Sequence, residues 1–291
     1  MKGEFIMLTH SFKSPLILLL FVMLSLLLPF SGFGQTPPPA VAEDDAAFTK
    51  ENTPVIIDVL ANDSGTIDPT TLKITTPPSV GAQAAINPDH TITYTPKPNT
   101  VGTDTFVYEV CASGTTGCDS ATVTIEIALV VPIDIKPGSC PNPINVKSWG
   151  VLPVAILGTA DFDVTEINVS SIRLAGVAPQ RFGSSIEDVA GPFPGVIQDT
   201  PSCQDCIQTG PDGFKDLTLK FSTQAIVRAL GTVNDEECIV LELTGELKDG
   251  TSIVGEDVVR ILKKGNSWGW GNKPFQLPTW GNTPFKFPKW W

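Results

Sequence analysis

The chain has 291 residues and a formal net charge of −12, because 31 Asp and Glu outnumber 19 Lys and Arg. Hydrophobic residues make up 42% and charged residues 17%, the balance of a globular rather than a disordered protein. The acidic charge argues against nucleic acid as a partner, since phosphate binding needs a basic face. Of the two histidines, His10 lies in a segment that we expect to be removed and only His90 remains. Catalytic or metal sites that need several histidines are therefore excluded.

Residues 1–34 predict a secretory signal peptide. An apolar run from Leu16 to Phe30 is too short to span a bilayer, and Gly32 and Gly34 follow where a signal peptidase requires small residues. We expect cleavage before Gln35; the alternative is an uncleaved membrane anchor. No later segment is long and apolar enough to cross a membrane. The mature chain is therefore expected to lack a transmembrane span and to be secreted, extracellular or at the cell surface.

Residues 35–41, QTPPPAV, predict an extended Pro-rich linker. In residues 42–130, short runs of alternating apolar and polar residues lie between turn signals, as in Ala121–Ile127. Such alternation indicates strands with one packed face and one solvated face. About seven of these runs at short spacing predict an antiparallel β-sandwich.

Two stretches of this first domain, AEDDAAFTKENTPVIIDVLANDSG and TITYTPKPNTVGTDTFVYEVC, carry a resemblance. They contain an acidic start, a V-L-x-N-D turn, Y-x-P and G-x-D-x-F-x-Y. In these features the segment resembles the cadherin-like, immunoglobulin-like repeats of bacterial surface proteins. The resemblance implies an Ig-like or cadherin-like sandwich, and cadherin-type modules place cations at domain ends where acidic residues cluster.

Calcium is accordingly the cofactor that we consider, because it takes six to eight oxygen ligands. The candidate ligands in the first domain lie at the linker junction, in the first turn and before a core strand: Asp44, Asp45, Asn62, Asp63 and Asp104. In the second domain, Asp212 and Asp216 in PDGFKD resemble the closing half of a D-x-D-x-D-G loop. The alternative is turn and capping chemistry for Asn62 and Asp63 and solvated charge for the others.

Residues 131–264 predict a second β-rich domain. Strands are expected around LPVAIL, DLTLKF, CIVLELTG and SIVGEDVVRIL. One short helix is expected in STQAIVRALG, with Ser222 as its N-cap and Gly231 closing it. The predicted fold class is therefore all-β, with two β-sandwich domains in tandem, one short helix in the second, and an extended C-terminal tail.

The six cysteines predict disulfide bonds, because their number is even and the chain is expected to be exported. Cys111 and Cys118 end and begin two alternating runs, so we expect them to face each other across a hairpin and to be bonded. The other four allow three connectivities: Cys140, Cys203, Cys206 and Cys238. The alternative for the C-x-x-C pair is a metal or redox role. We do not favour it, because the sequence has no second C-x-x-C pair and no histidine near this one.

The segment IDIKPGSCPNPINVKSWGVLPVAILGTADFDV, with GPDGFKDLTLKF, resembles a module of unknown function that recurs in exported prokaryotic proteins. Cysteines matching Cys140 and Cys206 recur in that module. The resemblance therefore implies a Cys140–Cys206 bond, which leaves Cys203 with Cys238.

Catalysis is not expected. The acidic pairs Asp161 and Asp163, or Glu187 and Asp188, are the remaining route to general acid–base chemistry. Neighbouring residues on a strand point to opposite faces, and a glycosidase needs two carboxyl groups about 5–10 Å apart around one cleft. We therefore interpret these pairs as exposed loop acids.

Residues 265–291 predict an aromatic tail. A motif, G-N-x-P-F-x-x-P-x-W, occurs at 271–280 and again at 281–290, and its prolines prevent helix and central strand. The candidate partner-binding residues are Trp268, Trp270, Phe275, Trp280, Phe285, Trp290 and Trp291. They could stack on sugar rings or lie at a membrane interface. The alternatives are a tail that folds back on the second domain and a disordered tail without function.

The sequence thus predicts a secreted, non-enzymatic protein that binds or adheres to a cell-surface or matrix component, with a glycan as one possible partner. The alternative is a carbohydrate-active enzyme or its accessory carbohydrate-binding component. A binding protein predicts saturable association without turnover, whereas an enzyme predicts an acid pair in an aromatic cleft. Of the six tryptophans, Trp149 alone precedes the tail, which favours the binding protein.

Overall fold

The computed structural model describes residues 38–263, except 79–80, 115–116, 182, 194, 196 and 198–199. The predicted signal peptide, the start of the predicted linker and the predicted aromatic tail lie outside the described residues. We call residues 38–130 the first lobe and residues 131–263 the second lobe.

The first lobe is built from seven strands that enclose one hydrophobic core. Tyr94, Phe106, Tyr108 and Val123 are fully buried in it. The alternation along residues 121–127 is confirmed, because every second side chain there is buried. The strands are β1 Asp45–Lys50, β2 Val55–Ile57, β3 Ile67–Thr76, β4 Gln83–Ile86, β5 Ile92–Thr95, β6 Gly102–Ala112 and β7 Cys118–Val130.

Two sheets face each other across this core. In one, β6 pairs antiparallel with both β3 and β7, and β1 pairs with the other edge of β7. In the other, β5 lies between β2 and β4. The β1–β7 pairing is parallel, which the antiparallel prediction missed. Alternation shows which face of a strand is buried, but it does not show the direction of the neighbouring strand.

The second lobe has its own core, which includes Ile135, Val154, Phe221, Leu243 and Ile261. One sheet has the order β12-β13-β10-β8, and β11, β14, β15 and β9 belong to a second sheet. The strands are β8 Ile133–Ile135, β9 Asn142–Asn145, β10 Val151–Ile156, β11 Arg173–Leu174, β12 Ser185–Glu187, β13 Asp216–Ser222, β14 Cys238–Glu246 and β15 Ser252–Leu262.

Helix α1, Thr223–Leu230, confirms the predicted helix and both of its ends. The Ser222 side chain accepts a hydrogen bond from the Ala225 N–H, and Gly231 closes the helix at a φ of 69°. A single-turn 3₁₀ helix spans Val164–Glu166. Within the described residues, no helix is long and apolar enough to span a membrane.

A continuous sheet connects the two lobes. β15 pairs in parallel with the end of β7, through Ile253 with Leu129 and Val254 with Val130. The larger sheet therefore has eight strands and contributes to both cores. Gly255 permits this junction, because a β-carbon there would lie 2.6 Å from the Ile133 side chain and 2.7 Å from the Val131 carbonyl oxygen.

Three disulfide bonds staple the structure. Cys111 and Cys118 are bonded at the end of the β6–β7 hairpin, as predicted. The connectivity implied by the module resemblance is also confirmed, with bonds Cys140–Cys206 and Cys203–Cys238.

Candidate functional site

A cluster of acidic and amide side chains lies where the linker enters the first lobe. It consists of Asp44, Asp45, Asn62 and Asp63, and we call it the acid cluster. The Asn62 amide donates to the Asp44 carbonyl oxygen at 3.1 Å, and Asp63 Oδ1 accepts from the Glu43 N–H at 2.8 Å. Two segments that the sequence analysis singled out separately, the acidic start and the N-D turn, therefore meet.

Tyr108 supports the acid cluster from the core, a role that sequence reasoning missed. Its hydroxyl lies 2.8 Å from both Asp63 Oδ1 and the Val59 carbonyl oxygen. Burial, followed by the bond to Asp63, raises the pKa of Tyr108, so this hydroxyl stays protonated and donates. Its position in the G-x-D-x-F-x-Y motif was the available signal, but alternation alone assigned it to packing.

The carboxylates of Asp45 and Asp63 repel each other in the acid cluster. Burial and then the charge of Asp63 raise the pKa of Asp45 to about 6. Asp45 Oδ2 and Asp63 Oδ2 are both buried without a hydrogen-bond partner. Two adjacent carboxylates with such oxygens are stabilised by a proton or by a hard cation, and Ca²⁺ prefers these ligands.

Asp104, the fifth candidate ligand of the first lobe, does not join the acid cluster. It is buried in the core, where its Oδ2 accepts from the Tyr94 hydroxyl at 2.8 Å. Its Oδ1 accepts from the Thr105 N–H at the same distance. The position of Asp104 is therefore explained by an interior tyrosine–aspartate pair.

The two candidate ligands of the second lobe, Asp212 and Asp216, lie in different environments. Asp216 is fully buried, and its carboxylate accepts from the backbone N–H groups of Gly158, Val189 and Ala190. Asp212 lies in an exposed loop and accepts from the Phe214 N–H. The loop is organised by Asp188, which accepts from the N–H groups of Asp212 and Gly213 and was not among the predicted ligands.

No three carboxylates of the acid cluster have oxygens that all lie within 4.8 Å of one another. Among the described residues, one group of three acidic, cysteine or histidine side chains has ligand atoms within 4.8 Å of one another: Glu109, Cys111 and Cys118. The two sulfurs of that group are bonded to each other. The acid cluster therefore supplies paired carboxylates rather than three.

Asp163, one of the acids considered for catalysis, has a local structural role. Asp161 and Asp163 line an open depression with Phe214 and Lys215. Asp163 caps the 3₁₀ helix, and its hydrogen bonds with Thr165 lower its pKa. A general acid for glycoside hydrolysis needs a raised pKa, so Asp163 has the opposite property.

Trp149 is the most exposed large hydrophobic residue described, with 87% of its surface accessible. It lies in the loop before β10, which is fixed by bonds from the Gln224 amide to the Val146 and Ser148 carbonyl oxygens. The same loop is bonded to the end of β15, where the Val146 N–H donates to the Leu262 carbonyl oxygen. Trp149 therefore follows, by three residues, a residue that is hydrogen-bonded to the end of β15.

Several solved structures resemble the chain. An endo-fucoidan hydrolase from glycoside hydrolase family 107 does so at 12% identity and a TM-score of 0.26, over 77% of this chain and 29% of that chain. A SusE-like surface located polysaccharide binding protein from the Bacteroides thetaiotaomicron heparin utilisation locus resembles it at 13% identity and a TM-score of 0.23. That alignment covers 78% of this chain and 34% of that chain. The N-terminal four Ig domains of Dscam1 resemble it at 7% identity and a TM-score of 0.24, over 79% of this chain and 46% of that chain.

The chain thus spans less than half the length of each of these three structures. No curated protein matches it. A family model does match: residues 35–126 fit the bacterial Ig domain. This match agrees with the two facing sheets of the first lobe and with the resemblance in its sequence motifs. Residues 35–126 are a bacterial Ig-like domain.

Proposed function

We propose that the protein is an extracellular, non-enzymatic binding protein that attaches to a glycan-bearing cell surface or matrix. The observation that carries this proposal is the exposed Trp149, which lies in a loop hydrogen-bonded to helix α1 and to the end of β15. The bacterial Ig-like domain and the three disulfide bonds support an extracellular location, because disulfides persist in oxidising compartments.

Trp149 has the properties of a binding anchor. Its loop is held from both sides, so placing the indole against a partner costs little conformational entropy. An indole face offers a large apolar surface for the C–H face of a sugar ring, and tryptophan is enriched among residues that dominate binding energy. The sequence has five further tryptophans within the next 30 residues after Leu262, all of them among the candidate partner-binding residues of the predicted tail.

The acid cluster supports a calcium-stabilised first lobe. A cation between Asp45 and Asp63 would satisfy both buried, unpartnered oxygens and offset the repulsion between the two carboxylates. The cluster lies at the entry of the lobe, where it would order the start of β1 relative to the N-D turn.

A carbohydrate-binding component that accompanies an enzyme remains compatible with the same aromatic surface. The two versions share one prediction, saturable glycan association without turnover.

Retention of the full chain on a glycan array and on bacterial cell-wall preparations tests the proposal. Trp149→Ala is expected to lose at least about tenfold in affinity, which corresponds to roughly 1.4 kcal/mol. Phe48→Ala is the matched control, because Phe48 is an aromatic residue of the first lobe with 47% exposure. Truncation after Lys264 is expected to lose retention as well.

Two outcomes would contradict this proposal. One is the absence of binding by the wild-type chain to any glycan or cell-wall material. The other is equal binding by the wild type, Trp149→Ala and the truncated chain.

A further inference from the structure

Three side-chain oxygens in the interior of the second lobe have no hydrogen-bond partner. Two are Oδ1 and Oδ2 of Asp134 on β8, and the third is Oδ1 of Asn142 on β9. Both residues are fully buried. An isolated buried carboxylate is among the most costly groups in a protein interior, so this one requires a neutralising partner.

Asp257 on β15 connects the strand of Asp134 to Asn142. Its Oδ2 accepts from the N–H of Ile135, the residue after Asp134, at 2.6 Å, and from the Asn142 amide at 2.9 Å. The Asn142 amide nitrogen also donates to the Val258 carbonyl oxygen. Because both partners of this nitrogen are acceptors, the orientation of the Asn142 amide is fixed and its oxygen is left unpartnered.

The charged groups around Asp134 do not neutralise it. Asp216 on β13 is a third buried carboxylate, held by backbone N–H groups. Lys136 lies two residues from Asp134, but its ammonium group donates to the Pro143 carbonyl oxygen at 3.1 Å. In the described part of the chain, none of the ion pairs includes Asp134.

The pKa shifts of Asp134 and Asp257 agree with their burial. Burial, and then the charge of Asp216, raises the pKa of Asp134 to about 7. Burial raises the pKa of Asp257 to about 7, and the charge of Asp134 adds to this effect.

We infer that Asp134, Asn142 and Asp257 form a buried calcium site in the second lobe. All the ligand atoms that these side chains offer are oxygens, which favour a hard cation over a thiophilic one. The remaining ligands that Ca²⁺ requires would come from water or main-chain carbonyls. The site is separate from the exposed loop at Asp212 and does not depend on the proposed binding function.

The competing explanation is a neutral, protonated Asp134 without an ion. Under both explanations, the chain in chelator loses stability at alkaline pH, because a buried carboxylate that ionises there has no neutralising partner. The two explanations differ in the effect of added calcium on stability. A bound ion reverses this loss at pH 8, whereas a protonated Asp134 gives no response to calcium.

The experiment uses the full chain carrying Asp63→Asn, which removes the acid cluster of the first lobe as a second source of calcium binding. Thermal unfolding is followed at pH 5.5 and pH 8, in chelator and in roughly 10 mM CaCl₂, about ten times the weak end of extracellular affinities. At ten times Kd, calcium raises the folding equilibrium constant about tenfold, and we expect the Tm at pH 8 to rise by roughly 3–6 °C. The rise at pH 5.5 is expected to be smaller.

Two added substitutions locate the site. Asp134→Asn is nearly isosteric and removes the buried charge, so it is expected to abolish the calcium response without lowering stability in chelator. Asp212→Asn is the matched control in the exposed loop and is expected to keep the response. The inference is overturned if Asp63→Asn protein shows no calcium response, if Asp134→Asn keeps it, or if Asp212→Asn removes it.

Equilibrium dialysis provides a readout that does not require the Asp134→Asn chain to fold. The Asp63→Asn protein is expected to bind one Ca²⁺ per chain at pH 8. Binding of none at that pH would overturn the inference by itself.

Discussion

Two buried tyrosines, Tyr94 and Tyr108, each donate a hydroxyl proton to an aspartate of the first lobe. The pairs have similar geometry, with 2.8 Å between the oxygens, but Tyr94 binds Asp104 in the core and Tyr108 binds Asp63 in the acid cluster. The two tyrosines therefore provide a matched comparison between a structural pair and a pair that belongs to a candidate cation site.

Tyr108→Phe and Tyr94→Phe are each expected to lower the free energy of unfolding by about 1.5–3 kcal/mol, because each removes a hydrogen bond to a charged group. Only Tyr108→Phe is expected to reduce the calcium response of the first lobe, since its hydroxyl orients Asp63. Chemical denaturation with and without calcium measures both effects. An equal calcium response in the two variants would contradict a cation role for the acid cluster.

Asp45→Asn tests the raised pKa at the acid cluster. The native state holds the Asp45 proton more tightly than the unfolded state, so this residue lowers stability as pH rises from 3.8 to about 6. The substitution is expected to flatten the pH dependence of unfolding in this range in the absence of calcium. Because Asp45 is partly exposed, the change is expected to be well below the limit of about 1.4 kcal/mol per pKa unit. An unchanged pH profile would show that Asp45 is not perturbed.

Sequence reasoning placed the acid cluster but not the interior acids. Asp44 and Asn62 could be grouped because an acidic start and an N-D turn are local signals of a domain end. Asp104, Asp134 and Asp216 could not be recognised as buried, since a charged residue in a strand pattern normally indicates the solvated face. The burial of Asp104 and Asp216 depends on tertiary partners, the Tyr94 hydroxyl and the Gly158 N–H, which no local pattern identifies.

At the level of elements, helix α1 was predicted to the residue because capping is local. Ser222 and Gly231 act within one turn of their own backbone, so their effect can be recognised without knowledge of the fold. The parallel pairing of β1 with β7 depends instead on where the chain enters the lobe, 73 residues before β7 begins. No local pattern carries that information.

The β6–β7 hairpin is expected to survive loss of its disulfide bond. Replacing Cys111 and Cys118 with serine opens a short loop, so the chain-entropy contribution lost is about 2–3 kcal/mol. Ten backbone pairs along β6 and β7 remain to hold the register. Denaturation of the first lobe should therefore shift to lower denaturant without loss of its β-type circular dichroism. Complete unfolding of the doubly substituted chain would contradict this expectation.

For the whole molecule, the relevant feature is the sheet that runs from one core into the other. Each lobe has its own buried cluster, which favours the predicted two-domain organisation. However, β7 and β15 pair across the boundary, and Lys50 forms an ion pair with Glu256. The apolar stripes in the sequence predict each core. They do not predict this junction, because the pairing joins residues more than 120 positions apart.

Fragments 35–130 and 131–264 are each expected to fold, since neither core borrows its main side chains from the other lobe. The second fragment should be less stable than the same lobe in the full chain, because β15 loses its partner β7 and Glu256 loses Lys50. Two backbone pairs and one partly exposed ion pair correspond to roughly 1–3 kcal/mol. Lys50→Ala in the full chain separates the contribution of the ion pair, which is expected to be below about 1 kcal/mol. Circular dichroism and thermal unfolding measure these changes. An unstructured fragment on either side would mean that the junction is obligatory and that the two lobes form one folding unit.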